Sequence, residues 1–402
     1  MTKIISMKTR DVQKLYETYV LPTYRQTPLC LVRGKGSRVW DLEGREYIDF
    51  FPGWAVSGLG HCHPAVVNAI KEQSRKILHV PNNFYNVKQA ELAREIIRHS
   101  FPGKVFFGNS GAEATDGAVK FARRWGSAAG KYEIITLRQS FHGRTLAGIA
   151  ATGQDKVREG FAPIPEGFYY ADMNDLTSVE RLVTDKTAAI FLEPIQGEGG
   201  IHQATQAFMQ GLRKLCDQKN ILLMLDEVQT CMGRTGKMFA YQLYGIEPDV
   251  MTLAKSLGAG VPIGALVIHE SQLGSVMTPG SHGSTYGGNP LVCAAALAVF
   301  KAIRKERLLA AAQKMGSYFG QKLEALKAKY AFIVEVRGPA LMRGLELSVP
   351  GAGIVDRCMK KGLLINCTQD RVLRIMPALT VSKKIMDRAL TILDAALAEE
   401  KT

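Results

Sequence analysis

The sequence predicts an α/β protein with a mostly parallel central sheet, joined to a second, smaller α+β domain. Three observations predict it. Short continuous apolar runs alternate with segments of helical period, polar clusters follow those runs, and beyond about residue 291 long helices give way to short strands. Alternation of buried strand and amphipathic helix is the pattern of parallel βαβ units.

The elements follow in chain order. Residues 28–51 read as a small β unit, in which Val39-Trp40-Asp41 and Tyr47-Ile48-Asp49-Phe50 flank the turn Glu43-Gly44-Arg45. Apolar runs then occur at 105–107, 134–137, 188–192, 221–225, 250–253 and 263–268. Runs without polar alternation are what strands buried on both faces look like. Segments 112–124 and 207–218 have helical period, as does the stretch from Leu291 to Lys301 and onward. Strands are expected near 334–336, 345–347 and 372–375. A chain of 402 residues is long enough for two or three folding units. The expected division is 1–58 and 291–402 for the smaller domain and 59–290 for the larger.

Composition narrows the function classes. A hydrophobic share of 46% and a charged share of 22% are those of an ordinary soluble enzyme. No apolar run approaches the ~20 residues of a membrane span, and residues 1–8 lack a signal-like apolar region. The seven cysteines are scattered without a Cys-x-x-Cys pair, which fits a reducing cytoplasm. The net charge of +14 raises the question of an anionic partner. Basic residues are spread rather than blocked, and no helix-turn-helix precedes residue 28. Attraction of small anionic substrates therefore explains the charge better than nucleic-acid binding.

In open parallel sheets, ligands sit at the carboxyl ends of the strands. Five polar clusters fall there. Gly108-Asn109-Ser110-Gly111-Ala112 opens a helix, where small residues and the helix dipole suit an anion; alone, the same residues also read as an ordinary helix cap. Asp226, in Leu225-Asp226-Glu227-Val228-Gln229, is a carboxylate ending a buried strand. It can hold a protonated pyridine nitrogen or cap a helix through a salt bridge. Lys255 ends an apolar strand in Thr252-Leu253-Ala254-Lys255-Ser256-Leu257-Gly258-Ala259-Gly260. Desolvation there would give the neutral amine that Schiff-base chemistry needs, although a strand-end lysine can also simply reach solvent. Ser140-Phe141-His142-Gly143-Arg144 and Glu193-Pro194 complete the set. Anion cradle, ring-nitrogen acid and amine, each after a different strand, make a specific conjunction.

These segments resemble a known family. Asn109-Ser110-Gly111-Ala112-Glu113-Ala114, Phe141-His142-Gly143-Arg144-Thr145 and Glu193-Pro194-Ile195-Gln196-Gly197-Glu198-Gly199-Gly200 look like class III aminotransferases. So do Asp226-Glu227-Val228-Gln229 with Gly233-Arg234-Thr235-Gly236, and Lys255 with Pro262-Ile263-Gly264. Residues 282–290 (His-Gly-Ser-Thr-Tyr-Gly-Gly-Asn-Pro) most resemble the acetylornithine branch of that class, and the similarity runs from about Gly34 to Thr380. The resemblance implies the fold-type I architecture, pyridoxal 5'-phosphate as cofactor, and a homodimer. It further implies that Ser110, Gly111 and Ala112 hold the phosphate, and that Thr285 reaches the phosphate of the neighbouring subunit. Phe141 would stack on the ring, Asp226 bind its nitrogen, Gln229 sit near the phenolic oxygen, and Lys255 form the Schiff base and shuttle the proton. Arg144 and Ser284 would bind the acylated substrate, Arg144 through its α-carboxylate. Glu198 and Arg374 would form a reversible pair, closed for a neutral chain and open for glutamate's α-carboxylate; the alternative is a permanent ion pair. The implied reaction is transfer of the 5-amino group of N2-acetylornithine to 2-oxoglutarate, in arginine biosynthesis. Other ω-amines (succinylornithine, succinyl-diaminopimelate, ornithine, 4-aminobutyrate) are the nearest rivals, and a non-catalytic regulator a remote one.

Three features depart from or distract from that pattern. Thr115-Asp116-Gly117 stands where the acetylornithine enzymes tend to have Asn-Glu-Ala, and a helical glycine costs about 1 kcal/mol against alanine. Trp54 stands where the ornithine enzymes have a substrate-binding tyrosine and the acetylornithine enzymes a smaller aliphatic residue. His61-Cys62-His63-Pro64 resembles a metal cluster but reads as the turn before a helix.

Overall fold

The computed structural model describes residues 7–274 and 276–400. The reading of residues 1–8 as lacking a leader therefore falls mostly outside the described residues, as do the outermost ends of the expected domains.

Seven strands form the central sheet. Their spatial order is Gly103–Gly108, Gly264–His269, Val250–Leu253, Leu222–Asp226, Thr187–Leu192, Glu133–Leu137, Phe168–Ala171. Gly264–His269 runs antiparallel to both neighbours, and the remaining pairs are parallel. Each expected apolar run is one of these strands. Phe168–Ala171, at the edge, was not expected.

The apolar runs are strands because both faces are covered. Every residue of Glu133–Leu137, Thr187–Leu192 and Leu222–Asp226 is buried. On one face the helix Gly111–Gly126 packs Ala118, Phe121 and Ala122 against Ile134, Phe191, Met224 and Leu266. On the other, Leu212 and Leu215 of the helix Gln206–Lys219 join Leu223 and Leu225. Each such large side chain contributes about 1.5–3 kcal/mol by leaving water.

The two ends of the chain share a sheet. Leu31–Lys35, Arg38–Asp41 and Glu46–Asp49 form an antiparallel unit. Leu363–Leu364 extends it by running parallel to Glu46–Asp49, with Leu363 opposite Ile48. The helices Pro290–Lys305 and Leu308–Lys329 lead into a second antiparallel sheet, ordered Ile333–Arg337, Arg343–Leu347, Val372–Ile375, Asn366–Thr368. Among the described residues, no helix is long and apolar enough to cross a membrane.

The parallel strands place their carboxyl ends on one edge of the central sheet. Gly264 begins its strand at that same edge, opposite Gly108. The loops that follow Gly108, Leu137, Leu192, Asp226 and Leu253 converge there.

Candidate active site

A cavity of about 470 Å³ opens at this edge, walled by residues from all five loops. Ser110, Gly111 and Ala112 form one wall. The Ser110 hydroxyl accepts the Glu113 N–H at 3.1 Å and so caps the helix Gly111–Gly126. The cap and the anion cradle are therefore not alternatives, because the hydroxyl caps while the open first turn faces the cavity. Packing behind it is tight: a Cβ on Gly264 would lie 2.1 Å from the Ser110 carbonyl oxygen.

Asp226 is buried at the base. Its Oδ1 accepts the Val228 N–H at 3.0 Å, and its Oδ2 lies 2.8 Å from Nδ1 of His142. No helix begins there, so the cap reading of Asp226 is not what the fold uses. His142 stacks on Phe191 at 4.3 Å, and its Nε2 has no protein partner among the described residues. Sequence reasoning gave His142 no role; it stood in plain view inside a quoted motif, but a lone histidine there reads equally as core.

Lys255 enters the cavity from a left-handed backbone, φ +45°. Such a conformation costs a non-glycine residue of order 1–3 kcal/mol and tends to persist where a site demands it. Burial of the amine holds its pKa below the ordinary lysine value; nearby Glu198 and Asp226 oppose that shift, and Arg374 adds to it. A depressed lysine is the nucleophile and proton carrier that carbonyl–amine exchange requires.

Glu198 and Arg374 meet in a two-pronged pair, Nη1 to Oε1 at 2.6 Å and Nη2 to Oε2 at 3.2 Å. Arg374 is fully buried. It also donates to Asn366 Oδ1 at 2.9 Å and the Gly197 carbonyl at 3.0 Å, with Gln229 Oε1 at 3.5 Å. The ring of Phe51 covers its guanidinium at 5.0 Å. Phe141 and Arg144 both line the cavity, with the Arg144 guanidinium 5.3 Å from the Phe141 ring. No carboxylate pairs with Arg144 among the described residues.

The fold does not bring every expected residue to this cavity. Ser284 and Thr285 are absent from its walls. The Ser284 hydroxyl is held by Asn109 Nδ2 at 3.1 Å and the Gly287 N–H at 3.0 Å, and Thr285 is exposed. Within one chain, neither contributes. Trp54 does not line the cavity either; it packs edge-on against Phe51 at 5.4 Å, the ring that lies over Arg374. Gly117 sits in close packing: a Cβ there would meet Leu266 Cδ2 at 3.1 Å and His282 Nε2 at 3.4 Å. His63 caps the helix Pro64–Ser74, as the turn reading expected, and no metal-binding cluster occurs among the described residues.

The donor set fits pyridoxal phosphate. A helix N-terminus suits the phosphate, a buried carboxylate fixed by His142 suits a protonated ring nitrogen, and a depressed lysine suits its aldehyde.

Comparison with known proteins agrees with this chemistry. Residues 19–397 match the family model described as aminotransferase class-III. The acetylornithine aminotransferase of Caldanaerobacter subterraneus subsp. tengcongensis is 50% identical over 95% of this chain and 98% of its own. That of Methanocaldococcus jannaschii is 48% identical over 97% and 98%. Among solved structures, the ornithine aminotransferase from Toxoplasma gondii ME49 superposes with a TM-score of 0.93 at 32% identity. It covers 98% of this chain and 95% of its own.

Proposed function

The chain belongs to the class III aminotransferases, and from that premise we propose that it moves the 5-amino group of N2-acetylornithine to 2-oxoglutarate, giving N-acetylglutamate 5-semialdehyde and glutamate. The observation that carries the substrate reading is the Glu198–Arg374 pair beside Lys255, taken with relatives named for acetylornithine. An enzyme that alternates between a distal amine and an α-amino acid needs a cation it can cover and uncover. Arg374 covered by Glu198 presents a neutral wall, and uncovered it receives a carboxylate.

Pyridoxal phosphate supplies the electron sink and carries the amino group between the two half-reactions. Ser110, Gly111 and Ala112 would hold its phosphate, Asp226 its ring nitrogen, Phe141 would stack on the ring and Gln229 would sit near the phenolic oxygen, all of them lining the one cavity. Lys255 Nζ would take the proton from the amine-bearing carbon of the substrate and hand it on in a 1,3-shift, a general acid–base task. Arg144, unpaired by any carboxylate of its own chain among the described residues, binds the acylated α-carboxylate.

Thr285 serves the neighbouring subunit's site, so the enzyme works as a homodimer. Support comes from unpartnered apolar surface. The helix Thr9–Tyr19 buries none of its residues, and Leu21, Phe84, Tyr85 and Tyr286 are strongly exposed. Segments 1–58 and 291–402 act as the small domain and 59–290 as the large one. Seven unpaired cysteines suit a cytoplasmic protein.

The test is the absorbance of the purified holoenzyme, titrated with N2-acetylornithine and then 2-oxoglutarate. The cofactor band should bleach with the first and return with the second. A band insensitive to N2-acetylornithine overturns the substrate reading and leaves the rival ω-amines to be titrated in turn.

A further inference from the structure

We propose that Glu193 is a positioning residue that makes the Phe141 platform and the Glu198–Arg374 pair one mechanical unit. Its Oε1 accepts the Phe141 N–H at 2.9 Å and its Oε2 accepts the Gly197 N–H at 2.9 Å. One buried carboxylate thus spans two loops that follow different strands. Both loops continue into functional groups. Beyond Phe141 comes His142, bonded to Asp226. The Gly197 carbonyl accepts from Arg374, and Glu198 follows.

The Gly197 peptide has little room to move independently. A Cβ at Gly197 would stand 1.9 Å from Gln229 Oε1, so the peptide is wedged between Gln229, Glu193 and Arg374. When Arg374 changes partner, the Gly197 peptide shifts with it, and Glu193 passes that shift to Phe141. The titratable groups that bear on Glu193 include His142, Asp226 and Lys255. Burial and Asp226 push its pKa upward, while His142 and the two N–H donors oppose them.

Glutamine cannot replace it. An amide has one acceptor oxygen, and its NH2 would face a backbone N–H, so one loop must be released. The inference rests on the gate reading above for its kinetic consequence but not for its structural one, and the experiment separates the two. Amide hydrogen exchange is followed by mass spectrometry in the holoenzyme, over segments 138–144 and 195–200, for the wild type, Glu193→Gln and Glu198→Gln. Glu193→Gln should speed exchange in both segments by about tenfold or more. Glu198→Gln, which leaves both hydrogen bonds of Glu193 in place and removes the carboxylate that faces Arg374 and Lys255, should also speed exchange at 138–144. In single-turnover half-reactions, Glu193→Gln should raise the KM for glutamate roughly fivefold more than that for the ω-amine.

Exchange at 138–144 that is unchanged in Glu198→Gln overturns the coupling. That variant decides alone if Glu193→Gln does not fold. Coupled exchange together with an equal fall in both half-reactions keeps the mechanical link and rejects the gate.

Discussion

Replacing Glu198 by glutamine removes the carboxylate that pairs with Arg374 and leaves the rest of its environment in place. Breaking one side of a fully buried pair costs about 3–5 kcal/mol. Here the loss is smaller. Glu198 keeps about a quarter of its side chain exposed (27%), and Arg374 retains Asn366 Oδ1, the Gly197 carbonyl and the Phe51 face. A residual of about 1–2 kcal/mol follows. In the wild type, glutamate must displace that interaction before its α-carboxylate reaches Arg374. Its removal should raise the apparent affinity for glutamate about tenfold. The neutral chain of the ω-amine now meets an uncovered cation and should lose a similar factor. The ratio of the two specificities therefore moves by roughly two orders of magnitude. Stopped-flow absorbance of each half-reaction reads both. Equal losses on both sides would mean that the pair is a fixed strut, and the alternation argument fails.

Four further outcomes follow from the geometry. Lys255→Ala should still bind the cofactor through the phosphate and ring contacts, but transfer should fall by roughly 10²–10⁴ or more, the share of a positioned proton carrier; borohydride treatment should label the wild-type lysine peptide and not the variant. Gly264→Ala puts a Cβ 2.1 Å from the Ser110 carbonyl, a backbone atom that cannot step aside, and should cost about 1–3 kcal/mol with weakened cofactor retention. Gly353→Ala, in the helix Ala352–Lys360, meets only the flexible Arg357 Nη1 at 3.5 Å and should be neutral or slightly stabilising in thermal unfolding. Glu227, buried and held by Thr230 and the Tyr241 N–H at 2.7 Å, has its pKa pushed by burial from 4.5 to about 7. A raised carboxyl pKa gives stability that is complete below pH 4.5 and lost as pH climbs to about 7. That loss is roughly 3 kcal/mol, so urea midpoints between pH 5 and 8 should fall more steeply for the wild type than for Glu227→Gln. Parallel profiles would reject the assignment.

The strands were legible where burial is two-sided. Residues 188–192 and 221–225 carry no polar alternation because helices cover both faces. Phe168–Ala171 escaped notice because an edge strand of four residues, with Tyr169 40% exposed, has too little pattern to stand out from a loop. Site residues were legible where one side chain carries its own chemistry in a motif, as with Lys255, Asp226 and the Glu198–Arg374 pair. His142 and Glu193 act by meeting other groups. His142 finds Asp226 84 positions along the chain, and Glu193 finds Phe141 52 positions back. Spacing alone does not reveal such meetings. Thr285 and Ser284 were expected only through resemblance, and a single chain leaves them outside its cavity.

The reversed strand Gly264–His269 sets a timetable for synthesis. Gly103–Gly108 joins the central sheet through it, Gly108 waiting for Gly264 to be made. Closing so long a loop is slow and comes late. A nascent chain that has emerged as far as Lys255 possesses the lysine, Asp226 and Glu193, but the loop at Ser110 still lacks the neighbour that backs it. Because one short antiparallel strand locks the anion wall to the lysine loop, a half-made chain carries the amine without the pocket that would recruit its cofactor.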